Sequence, residues 1–258
     1  MKLLANKNVA VIKQLHSIKF LLIIFFSSLA FSSLAQEGTR ATNATIEGKV
    51  MVIPFEPLMY MSEIDKKINE QTGWNFEQIR ENFRHNLDVQ LLLKLKTHTQ
   101  AISFYQDSAK MAKDLDYIYK SRTLSYDLID LSKTVSKAKQ QKNITNGQLT
   151  VEINNDKKFM NAKIINPTLI GYLHKKYAST YFIFINELDI KNDLNSYDIA
   201  TDTYKREITV HYTIMDKTAK IISAGVIVSM LTALENDPKK IVEKAFVPID
   251  ESIANKLK

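Results

Sequence analysis

The sequence predicts an α/β (α+β) protein: a mixed β-sheet flanked by helices and closed by a C-terminal antiparallel hairpin, with a polar, partly helical insertion at about 121–158. Three observations carry this expectation. Lys49 to Phe55 (KVMVIPF) is a continuous apolar run, the pattern of a strand buried on both faces. Phe76, Ile79, Phe83, Leu87 and Leu91 recur at three- and four-residue spacing, which is one face of a helix. Glu207 to Met215 (EITVHYTIM) and Lys220 to Met230 (KIISAGVIVSM) flank Asp216-Lys217-Thr218-Ala219, a turn that pairs them as a hairpin.

The first 35 residues differ in character from the rest. Lys2, Lys7, Lys13 and Lys19, without one acid, surround and precede an apolar run from Phe20 to Phe26. Ser33 and Ala35 then stand at the minus-three and minus-one positions of a signal peptidase site. The reading is a secretory signal peptide cleaved after Ala35, which puts the protein in the periplasm or outside a Gram-negative bacterium. The competing reading is a retained anchor, but a spanning helix needs about 20 apolar residues and serines interrupt this run well before that. After cleavage no transmembrane span is expected.

Removing four lysines and no acid lowers the net charge from +7 to +3, so the basic pI is not a nucleic-acid footprint. No Lys/Arg block with interleaved aromatics points to nucleic acid either. The chain has no cysteine, which excludes disulfides, thiolate metal sites, a cysteine nucleophile and lipoprotein-type lipid attachment. The fold must be held by its core alone.

Residues 36–48 are polar and aperiodic, a disordered leader, and 49–258 read as a single domain. Pro54 and Pro57 end the first strand. Ser62, with Asp65 three residues on, opens a short helix, and a long one runs from Asn75 to Leu95 after Gly73. Thr97 to Tyr105 is a second strand candidate. Ser108 to Tyr119 is a helix with Met111, Leu115, Ile118 and Tyr119 on one side. Ser121 to Gly147, rich in Ser, Thr, Lys, Gln and Asn, is expected to be exposed, with a helix at Leu124 to Leu131. Asn166-Pro167 opens a helix to Tyr177, and Tyr181 to Leu188 (YFIFINEL) is a strand. Asp237-Pro238 starts a terminal helix to Leu257 that Pro248 kinks or divides.

The strand that ends in Pro54-Phe55, the long helix after it, and the segments His174 to Ile190 and Arg206 to Ile227 together resemble a bacterial envelope fold group. Its members include the amino-terminal domain of the Tol translocation protein, the curli secretion channel lipoprotein and the outer-membrane activators of penicillin-binding proteins. The chain departs from that pattern: Ala219 replaces the turn glycine, Asn186 a strand glycine, and the lipoprotein cysteine is missing. The resemblance implies a module that contacts other envelope proteins rather than an enzyme.

Catalytic motifs are missing. His85, His98, His174 and His211 form no i, i+4 pair, and neither His-Glu-x-x-His nor Gly-x-Ser-x-Gly occurs. Glu187, Asp189, Asp193, Asp198 and Asp202 fall in what reads as a loop between two strands. Asp189, Asp193 and Asp198 are its candidate metal ligands, set against a plain solvated loop. Phe55, Met59 and Tyr60 are candidate partner-binding residues at the exit of the first strand, set against a role in covering the core. No cofactor is expected. The sequence thus points to a non-enzymatic periplasmic interaction or assembly module with an envelope-protein partner. The alternative is a secreted hydrolase or metal-binding enzyme of unfamiliar type.

Overall fold

A computed structural model describes residues 47–105, 108–128 and 158–257, together with the backbone of 144–145 and 148–149. The expected signal peptide and nearly all of the expected leader lie outside the described residues. In chain order, β1 (Lys49–Ile53) leads through a 3-10 turn (Pro57–Met59) to β2 (Tyr60–Ser62), α1 (Asp65–Thr72), α2 (Phe76–Lys96) and β3 (Ala101–Ser103). Next come α3 (Ser108–Lys120), β4 (Arg122–Leu128), the two-residue strands β5 (Ile144–Thr145) and β6 (Gln148–Leu149), and β7 (Lys158–Ile164). The last part holds α4 (Leu169–Tyr177), β8 (Ser179–Asp198), β9 (Thr203–Asp216) and β10 (Ile221–Thr232). A short α5 (Pro238–Ile241), a π-helical turn (Val242–Phe246) and α6 (Val247–Ala254) close it.

The main sheet has the order β10-β9-β8-β1-β3, and β2 continues along β8 beyond the end of β1. β1 is parallel to both neighbours, whereas β8, β9 and β10 are antiparallel, so the sheet is mixed. β1 is buried on both faces, as its unbroken apolar run predicts. Val50 and Val52 join Ile183, Leu188, Ile208 and Val210 beneath α1, α2 and α6. Met51 and Ile53 join Phe182 and Phe184 beneath α3, α4 and Ala162 of β7. Burying a side chain of this kind is worth about 1.5–3 kcal/mol, so two such layers hold the chain without cross-links.

Local chemistry explains where the helices start and stop. Asn75 and Gln78 form a reciprocal capping box at the start of α2, each side chain taking the other's backbone N–H. Asp237 accepts from the Lys239 N–H at 2.9 Å, with Pro238 in the first turn of α5. Pro248 divides the terminal helix: it offers no N–H, and just before it the Val247 N–H reaches back five residues to the Val242 carbonyl.

Several sequence expectations are corrected. The predicted helix at Leu124 to Leu131 is instead β4, where Leu124, Tyr126 and Leu128 alternate with polar residues and all seven strand residues pair with β7. Residues 129–131 lie outside the described residues. Ser62 ends β2 rather than capping α1, and α4 starts at Leu169. The acidic "loop" from Glu187 is β-strand as far as Asp198, because each residue from Glu187 to Asp193 faces a β9 partner. None of the described helices is long and apolar enough to cross a membrane.

Charged groups are also buried. Arg206 is fully enclosed, its guanidinium donating to the carbonyls of Ala233 and Glu235 and to Asn236 Oδ1. It thereby pins the connection between β10 and α5. Asp88 of α2 and Asp250 of α6 are 1% and 0% exposed.

Candidate functional site

The sheet face turned toward β4 and β7 becomes polar where β8 passes β9. A bulge causes this change: Ile185 pairs with Tyr212 and Glu187 with His211, so Asn186 is an extra residue on β8. The bulge shifts the alternation by one, and Glu187, Asp189 and Lys191 then share a face with His211 and Thr209.

The β4–β7 ribbon is fastened over this face by side chains that bond its backbone. Asn186 Nδ2 donates to the Met160 carbonyl and to Thr213 Oγ1, both at 2.8 Å. Thr213 Oγ1 accepts from the Ala162 N–H at 3.1 Å and donates to Asn161 Oδ1 at 2.8 Å. The Met160 N–H donates to His211 Nδ1 at 2.8 Å. From the ribbon, the Tyr126 hydroxyl donates to both Glu187 oxygens at 2.9 and 3.0 Å.

The electrostatics follow from burial. Desolvation pushes the His211 pKa down to about 4, so the ring is neutral at pH 7. With Nδ1 accepting from Met160, the ring proton sits on Nε2. Burial raises Glu187, against the Tyr126 hydrogen bond that stabilises its charge. Tyr126 is pushed up to about 12, first by burial and then by the Glu187 bond and charge, and stays a phenol donor. Lys191 closes the group with an ion pair to Asp189.

Glu187, Asp189 and His211 bring potential ligand atoms within 4.8 Å of one another. The hydrogen-bond pattern nonetheless opposes a metal. Nε2 presents a hydrogen rather than a lone pair, and freeing either nitrogen breaks the Met160 bond. His211 Nδ1 is occupied by a backbone amide, and among the described residues no nucleophile is hydrogen-bonded to the ring. The group's observable work is to clamp the ribbon. Beside it lies a cleft of about 290 Å³, whose polar wall includes Asp189, Glu207, Thr209 and His211 and whose apolar wall is Val226 and Val228 of β10.

β10 is the terminal strand of the sheet, and among the described residues no strand pairs with its outer side. It is 12 residues long and carries no charged side chain (IISAGVIVSMLT). Ile221, Ile222, Val228 and Met230 are all more than two-fifths exposed. The opposite edge strand, β3, has three residues.

The sequence-predicted site residues fall elsewhere. Phe55 and Tyr60 are core, at 1% and 5% exposure, and Met59 packs against the same cluster. They cover the sheet end because Arg84 Nε and the Tyr119 hydroxyl hold the Phe55 and Pro54 carbonyls, at 2.7 and 2.8 Å, and turn the chain inward. Their neighbour Leu58 is the exposed one, at 79%. Asp189 joins Glu187 and His211, while Asp193 and Asp198 lie further along extended β8. At about 3.3 Å per residue, Asp193 is roughly 13 Å from Asp189, so the three do not converge on one ion. His85 is an exposed helix residue against Tyr105. Sequence reading missed the bulge and the clamp. The available signal was the run Asn186-Glu187-Leu188-Asp189, where polar alternation begins within an apolar strand. The chain matches no known family model and no curated protein.

Proposed function

We propose that this protein is a non-enzymatic module of the bacterial envelope that binds an extended segment of another envelope protein by strand addition to β10. The observation that carries this reading is the uncharged 12-residue edge with its exposed apolar side chains. Folded proteins usually blunt such an edge with charge, proline, bulges or short length, because its free N–H and C=O groups template a further strand. β10 has one register shift, at Ile222 near its start, and from Ser223 to Thr232 it runs without bulge, proline or charge. An edge of that length fits docking of the β-augmentation kind, with main-chain bonds for affinity and alternate side chains for specificity. The cleft wall formed by Val226 and Val228 continues this surface and offers contacts to side chains of the added strand. The export signal and the resemblance to the envelope fold group agree with a partner in that compartment.

The test is affinity capture from envelope extract with the full chain and with a Val228→Lys variant. Val228 is exposed, so the variant is expected to fold within about 0.5 kcal/mol of the parent. Capture of a defined envelope protein by the parent and its loss with the lysine support the reading. Equal capture by both, or none by the parent, sinks it.

A further inference from the structure

A second recess lies on the far side of the sheet, between α2 and the C-terminal helical segment, with a volume of about 440 Å³. That is within the range of about 300–1,000 Å³ typical of small-molecule sites. One wall is a ladder of primary amides: Asn82, Asn86 and Gln90 are spaced i, i+4, i+8 along α2 and so share one stripe of the helix. Val242 and Val247 form the opposite wall. They are five residues apart across the π-helical turn that Pro248 imposes, and such widened turns recur at functional sites. Trp74 closes one end. Its backbone is held by Asn69 Nδ2 on its carbonyl at 2.8 Å and by its own N–H on Thr72 Oγ1 at 3.1 Å.

The chemistry of these walls selects a ligand class. Asn86 Nδ2 is engaged by Asn82, but no described protein group bonds Asn82 Nδ2, Asn86 Oδ1 or the Gln90 amide. Free amide donors and acceptors side by side suit hydroxyls, which both donate and accept. The indole and the two valines offer an apolar surface for the C–H face of a ring. The two charged residues at the recess, Lys239 and Glu243, are of opposite sign, so neither an anion nor a cation is favoured. We infer that this recess binds an uncharged carbohydrate, with pyranose rings against Trp74 and the valines and ring hydroxyls on the amide ladder. The site is independent of the β10 edge.

Trp74 is the only tryptophan in the chain, so its fluorescence reports on this recess without a label. The full chain is titrated into the millimolar range with cellobiose, with the disaccharide of N-acetylglucosamine, and with triglycine as an uncharged peptide. The expected result is a saturable change with at least one disaccharide and none with triglycine. Asn86→Ala and Gln90→Ala, both at the surface of α2, should keep the parent's thermal midpoint and weaken binding about tenfold each. Val228→Lys should leave the titration unchanged. No saturable response to either sugar, equal saturation by triglycine, or sugar binding indifferent to both amide variants would overturn the assignment.

Discussion

Replacing Asp88 with Asn is expected to reverse the sign of its effect on stability between acid and mildly alkaline pH. Asp88 is buried on α2, with one oxygen accepting from Ser103 and the other without a hydrogen-bond partner. Burial pushes its pKa up to about 7, against the opposing pull of the Ser103 hydroxyl and the Arg84 charge. Asp250 is raised well above the usual carboxylate range, by burial and then by the Asp88 charge, and neither of its oxygens has a partner. A carboxyl whose folded pKa is raised contributes its full stability below the unfolded value and loses it as pH rises through the folded value. For Asp88 the window runs from about pH 4 to pH 7, and at 1.36 kcal/mol per unit the loss is about 4 kcal/mol. Asn cannot ionise, but it buries an extra N–H₂ donor at a cost of about 1–3 kcal/mol. About 1 kcal/mol of the parent's contribution is already lost at pH 4.5, so Asp88→Asn should be less stable than the parent by up to about 2 kcal/mol there and more stable by about 1–3 kcal/mol at pH 8. Urea unfolding at the two pH values, with unchanged m, measures both. The same stability difference at both pH values would refute the argument, since only ionisation of a buried carboxyl makes it change sign.

The other expectations concern the clamp and the turns. His211, held near a pKa of 4 by burial, opposes Asp88: folding stability falls as pH drops from about 6.5 to 4, by up to about 3 kcal/mol. His211→Gln should lack that acid-side loss, and in the parent the Met160 amide should exchange with solvent faster as His211 gains its proton, measured by hydrogen exchange. Ala219 sits at φ 63° in the hairpin turn, where a side chain costs about 1–2 kcal/mol relative to glycine. After the greater entropy of an unfolded glycine is subtracted, Ala219→Gly should gain about 0.5 kcal/mol, seen as a rise of 1–2 °C or so in the melting midpoint. A fall in midpoint would mean that the left-handed backbone is unstrained there.

Much of the fold is legible because its cause is local. The KVMVIPF run needs no partner to announce a doubly buried strand, the three-four spacing of Phe76 to Leu91 defines α2, and Asp216 to Lys220 carries its own turn chemistry. Asp216 Oδ1 accepts from the Thr218 and Lys220 N–H groups within that same short stretch. Illegible features depend on distant residues. β4 is a strand because β7, thirty or more positions away, pairs with it along its whole length. Acidic β8 residues past Leu188 are strand rather than loop because β9 supplies their partners.

Of the candidate residues, Phe55 and Tyr60 take the core-covering role, and that could not be decided locally because their burial rests on Arg84 and Tyr119 taking the carbonyls of the turn before them. The bulge at Asn186 decides which side chains meet His211, and the polar alternation that begins there in the sequence does not say which β9 residues it faces until the strand is paired. The sequence by itself determined the mixed α/β class, the dominant helix, the C-terminal hairpin and a core that works without cysteine, since periodicity, capping and composition act over a few residues. Only tertiary structure decided that β10 is an edge strand among the described residues, that an acidic stretch becomes a clamp, and that Trp74 meets an amide ladder. Those are facts about neighbours brought together from far along the chain.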